Sequence, residues 1–144
     1  MVNVWAAGTF VIRKTISQAA LRAEMLRRLP VKAELMTCRS RAVLDLASQE
    51  PFRHDPSGKD IIRYVSVLAK RPRTLPPLPI SQPAGGDWQV KIIGVTGRFA
   101  LSLHRRLGRT LLYPNEVVEK KLGVSATTRN WNTISAVCEV LKGT

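Results

Sequence analysis

Cysteine and histidine are scarce in this chain of 144 residues. Cys38 and Cys138 stand a hundred positions apart, and the two histidines are His54 and His104. No C-x-x-C pair occurs, so neither a disulfide framework nor a closed zinc site of the usual Cys/His spacing is expected, and no cofactor is implied. Two isolated cysteines read as the reduced thiols of a cytoplasmic protein. Aromatic residues are only 6% of the chain. No run approaches the ~20 apolar residues of a membrane helix. A secretory signal carries its positive charges before its apolar stretch; here Arg13-Lys14 follow the apolar residues 1–12, so the order is reversed and no membrane partner is expected. Walker, dinucleotide and Ser/His/Asp signatures are also missing, which leaves any enzymatic activity unassigned and no catalytic or metal residue nominated.

Acidic residues are the other shortage. Ten Asp and Glu face 23 Lys and Arg, a formal net charge of +13. The excess is uneven: residues 1–60 carry ten basic and six acidic side chains, residues 61–144 thirteen and four. Between Arg63 and Arg109 nine basic residues meet one acid, Asp87. Such a balance serves either solubility or a polyanionic partner, nucleic acid or another anionic ligand.

What is present has the hydrophobic content of a globular chain, 44%. Val2 to Ile12, with Gly8 at a turn, predicts a strand pair. Ser17 caps a helix with a Leu21, Met25, Leu26, Leu29 stripe, which Pro30 ends. A short strand over Lys32–Cys38 and a helix over Arg39–Gln49 follow, then a turn-rich connection from His54 to Lys59. Ile61–Ala69 is the strongest strand and suits a central position. Arg71–Pro79 is extended and polyproline-like, and it contains an R-x-x-P-x-x-P spacing read as a stiff linker in an exposed Pro72–Gly86 loop. Strands over Trp88–Val95 and Arg98–Leu103 form a hairpin, with Gly94–Gly97 as its turn. Asn115 caps a helix that Gly123 stops, and a last helix starting near Thr128 carries a Trp131, Ile134, Val137, Cys138, Leu141 stripe, with Trp131 largely buried.

The run Thr127-Thr128-Arg129-Asn130-Trp131-Asn132-Thr133, with Val118–Val124 before it, resembles the C-terminal signature of a bacterial family, domain of unknown function 1697 (DUF1697). Asn3–Ile12 is similar to that family's first strand pair, and Leu44–Phe52 also resembles it. The resemblance spans almost the whole chain. It implies an α+β protein of two small ferredoxin-like halves with mainly antiparallel sheet, residues 1–60 and 61–144, and it implies no activity. Family members open with a further strand and helix that this sequence lacks, so the first half is expected to be truncated. A bare sheet edge would then favour a homodimer.

Two classes of function follow. The first is a basic module binding nucleic acid or another anion through Arg98, Arg105, Arg106 and Arg109, with no acid between them in sequence. Thr128, Arg129 and Asn130 add a second anion-binding candidate where a helix opens and its free N–H groups gather. The alternative there is that Thr128 only caps, Trp131 fills the core and Arg129 meets an acid. The second class is a small-ligand protein or enzyme with a polar pocket between the halves; a truncated, non-functional chain is a third reading.

Overall fold

A computed structural model describes residues 2–4, 8–12, 15–28, 35–53, 60–106 and 111–143. Arg109 and the His54–Lys59 connection lie outside the described residues, as do residues 32–34 of the expected third strand.

The chain is an α+β protein in which all strand pairs are antiparallel. Strands β1 (Val2–Val4) and β2 (Thr9–Val11) form a two-stranded ribbon turned at Gly8, whose φ of 68° suits glycine. Helix α1 (Gln18–Arg28) opens under the cap expected of Ser17, whose Oγ accepts from the Ala20 amide at 3.1 Å. Its apolar stripe is not a core face: no α1 residue is buried, and Leu26 is 43% exposed. Leu35–Cys38 are irregular where a strand was expected. Helix α2 (Ser40–Ser48) agrees with its sequence pattern and buries Val43 and Leu46.

The main sheet has five strands: β3 (Ile61–Leu68), β4 (Ile80–Gln82), β5 (Val90–Thr96), β6 (Phe99–Arg105) and β7 (Ala126–Asn130), in the order β4-β5-β6-β3-β7. As expected, β3 is internal. It pairs with β6 from Ile61↔Arg105 to Val67↔Phe99, and with β7 on its other side. Helix α3 (Pro114–Leu122) covers one face of the sheet, while α2 and α4 (Trp131–Lys142) cover the other. Strand parity sorts the core accordingly. Val65, Phe99, Leu101 and Leu103 pack with Leu46, Ile134 and Val137. Leu68, Val90, Ile92 and Ala100 pack with Val117, Val118 and Leu122 on the opposite face. The first of these clusters also holds Val11 and Phe52, so residues from before and after position 60 share one core.

Five local expectations are corrected. The hairpin turn is Gly97-Arg98, because Thr96 pairs with Phe99; Gly94 lies within β5 at a register shift. Gly97 takes the positive φ (59°) that a first loop position of this kind favours. Asn115 does not cap α3: Tyr113 is the cap residue and Pro114 fills the first turn, where its missing N–H costs nothing. Gly123 does stop the helix, left-handed at φ 69°. Residues 126–130 are strand, not helix, since two threonines at an open edge of β3 favour extended pairing; α4 begins after Asn130, whose side chain accepts from the Asn132 amide at 2.8 Å. Its stripe is as read, except that Trp131 is only half-buried, edge-on to Phe52 at 5.3 Å. Finally, the proline-rich segment is largely exposed but not free along its length: Leu78 packs on the α3-face cluster and Ile80–Gln82 becomes the short edge strand β4.

Among the described residues no helix is long and apolar enough to cross a membrane. Leu103 is 1% exposed at the sheet centre, whereas Leu75 is 50% exposed. Leu103→Ala should therefore lower unfolding free energy by ~2–5 kcal/mol. Leu75→Ala should stay within about 0.5 kcal/mol of the parent, both measured by urea titration.

Candidate functional site

The nominated basic residues fall at three separate places. Arg98 and Arg105 bracket β6 and are roughly 24 Å apart at ~3.4 Å per residue, so they cannot serve one small site. Arg98 sits in the hairpin turn, where its Nε donates to the Leu68 carbonyl at 2.8 Å and its Nη1 to that of Thr37 at 3.0 Å. Arg105 closes the far end. Its guanidinium lies 4.2 Å above the Trp88 ring and donates to the carbonyls of Trp88 (3.2 Å) and Gly86 (2.5 Å). Arg106, just beyond, is exposed.

The third place is β7, where each nominated group already has a partner within the chain. The Thr128 hydroxyl donates to Asn115 Oδ1 at 2.6 Å. It therefore accepts from Ser66 Oγ, also at 2.6 Å. Arg129, on the opposite face by alternation, is in no ion pair among the described residues; it donates to Thr9 Oγ1 and to the Thr128 carbonyl, both at 2.9 Å. Asn130 caps α4. Burial lowers the Arg129 pKa.

Register reveals what spacing alone did not. On the face that packs α2 and α4, Arg63 of β3 and Lys91 of β5 both stand opposite Leu103 of β6. Arg105 lies two residues further along β6 on the same face. Three cations from three adjacent strands thus converge towards one end of this sheet face. Aromatic rings underlie them: Lys91 Nζ is 4.8 Å from the Trp88 centroid, and the Arg63 guanidinium is 5.6 Å from that of Phe52. Cations over rings gain ~0.5–2 kcal/mol each, but remain charged. Among the described residues every ion pair is local, within one helix or turn, and none includes Arg63, Lys91, Arg105 or Arg106. Arg63 and Lys91 escaped the sequence reading because their face depends on register; the alternation of β3 and β5 was the available signal.

The α3 face holds a polar track. From Ser66 and Thr128 it runs through Asn115 to Glu119, which accepts from the Ala126 amide at 3.0 Å. Further along β6, Ser102 Oγ and His104 Nε2 are buried and have no hydrogen-bond partner among the described residues. They are not bonded to each other, so they form no nucleophile–base pair. Burial first, then the Arg106 charge, push His104 below its ordinary 6.5, against a bond to the Leu112 backbone that favours the charged ring. A bond that favours the charged form is one the ring donates.

Comparison with protein-family models, curated proteins and solved structures finds no match for this chain.

Between the lowered folded pKa of His104 and 6.5, the unfolded chain binds more protons than the folded one. Stability should rise with pH through that window and be lost as pH falls below 6.5. Denaturant titrations from pH 5 to 7.5 should show this dependence, and His104→Gln should remove its contribution.

Proposed function

We propose that the chain is a basic module that binds nucleic acid through its phosphate backbone at the Arg63–Lys91–Arg105 end of the sheet, with Arg106 as the outlying cation. The observation that carries this reading is the convergence on one sheet face of three cations, none of which is in an ion pair among the described residues. Across two strand spacings of ~4.8 Å, Arg63 and Lys91 stand about 10 Å apart, with Arg105 between their strands and further along. That triangle suits an extended polyanion better than a single small ion. Trp88 is 7% exposed beneath two cations, so no free ring offers base stacking there. Recognition is accordingly electrostatic and independent of sequence.

The resemblance to the DUF1697 family belongs to this proposal. So does a ferredoxin-like second half, supported by the spatial order β5-β6-β3-β7, in which the first strand along the chain lies between the third and the fourth.

Fluorescence anisotropy with short duplex and single-stranded oligonucleotides over a salt series tests the reading. On duplex DNA each neutralised phosphate contributes a slope of about −0.9 in a log–log salt plot. The pair Arg63→Gln and Lys91→Gln should flatten that slope by up to ~1.8, with the fold retained by circular dichroism despite a loss of ~1–4 kcal/mol from the two ring contacts. Absence of binding at low salt, or an unchanged slope in the double variant, would overturn the proposal.

A further inference from the structure

At the hairpin-turn end, remote from the Arg63–Lys91–Arg105 cluster, a cleft of about 290 Å³ opens between residues from either side of position 60. Its floor is apolar: Leu46 and Phe99 are buried, with Ala42 beside them. Three arginines are among its lining residues, Arg39, Arg71 and Arg98. Arg98 is fixed by the Leu68 and Thr37 carbonyls, so little side-chain freedom remains to be lost on binding; its Nη2 has no partner among the described residues. Arg39 and Arg71 are exposed and take part in no ion pair among those residues.

A second observation points to the same ligand charge. Cys38, Arg39 and Ala42 place the first turn of α2 in the cleft wall, and that helix end has neither a side-chain cap nor an acid in its first turn. The amides of Ala42 and Val43 already donate to the Arg39 carbonyl, so what this helix end adds to the three arginines is the positive end of its dipole. The one carboxylate in the lining, Asp45, is held by Arg41 at 3.1 Å. The lining thus carries a formal charge of +2, which matches the −1.5 to −2 of a phosphomonoester near pH 7. Gln18, Gln49 and Thr96 supply neutral hydrogen-bonding groups around the cations. The volume lies at the low end of the ~300–1,000 Å³ range of ligand pockets, which favours a small metabolite over a dinucleotide.

We propose that this cleft binds a small hydroxylated phosphomonoester, its phosphate held by Arg39, Arg71 and Arg98 and its hydroxyls by Gln18, Gln49 and Thr96. The site is independent of the nucleic-acid surface, so either proposal stands if the other fails.

The test is an amide NMR titration of the full chain with glycerol 3-phosphate, and in parallel with glycerol and with sulfate. Saturable shifts are expected at Thr96, Gly97, Arg98 and Ala42, with glycerol 3-phosphate at least ~10-fold tighter than sulfate and glycerol without effect; one charged hydrogen bond is worth about that factor. Arg39→Ala with Arg71→Ala should abolish the shifts, while the same spectra show that the fold is kept. The pair Arg63→Gln and Lys91→Gln should leave them unchanged. No saturable shift at these amides, sulfate binding as tightly as the phosphomonoester, or undiminished binding in the arginine double variant would overturn the assignment.

Discussion

Strand β6 is buried on both faces from Phe99 to Leu103, under α2 and α4 on one side and α3 on the other. A charge placed in the middle of such a strand would lose its hydration with no compensating partner, at a cost of several kcal/mol. Basic residues are therefore confined to its ends, Arg98 at the turn and Arg105 at the exit. The neighbouring strands behave alike: β3 carries Arg63 near its start and is followed by Lys70 and Arg71, and β5 carries Lys91 near its start. Double coverage of the sheet thus converts a diffuse excess of positive charge into two separate basic ends.

The two ends differ in form because different elements meet there. At the Arg105 end the cations of three adjacent strands lie over aromatic rings that give them apolar support without neutralising them. At the Arg98 end the segment ahead of α2 closes against the hairpin turn, with the Arg98 guanidinium joining the two. A flat, spaced array results at one end and a concave lining at the other, which is why an extended polyanion suits the first and a compact dianion the second.

The alternation of Phe99, Leu101 and Leu103 identified one core face of β6 from sequence, and the long apolar run of β3 identified an internal strand. Helix α4 followed its stripe. What sequence could not order was the Thr127–Asn130 run. Two threonines ahead of an asparagine satisfy a capping pattern and a strand pattern equally, and only the unpaired edge of β3 decides between them. The same limit applied to the site. Arg98 and Arg105 were found as neighbours in sequence, yet a strand keeps such residues apart while cross-strand pairing brings Arg63, Lys91 and Arg105 together. Charge spacing along a chain is informative within a helix turn or a loop; across a sheet it means nothing until register is known. Helix α1 failed for another reason. Its stripe is real, but a stripe becomes a core face only where another element covers it, and none of its residues is buried.

Sheet edges invite pairing with a second chain, and both edges here carry features that oppose it. Strand β4 is three residues long between Pro79 and Pro83, and proline gives no ladder donor. On β7, Arg129 turns back to donate to the Thr128 carbonyl and reaches Thr9 of the N-terminal ribbon, so a charged side chain lies against the strand's own backbone. An incoming strand would have to displace a half-buried guanidinium that has no acid partner among the described residues. Arg129 thus links the ribbon to the edge strand beside the packing of Val11 in the core, with one bond to Thr9 and a separate one to the carbonyl of Thr128. Arg129, nominated from sequence as an anion ligand, serves in this structure as the tie between the ribbon and the sheet.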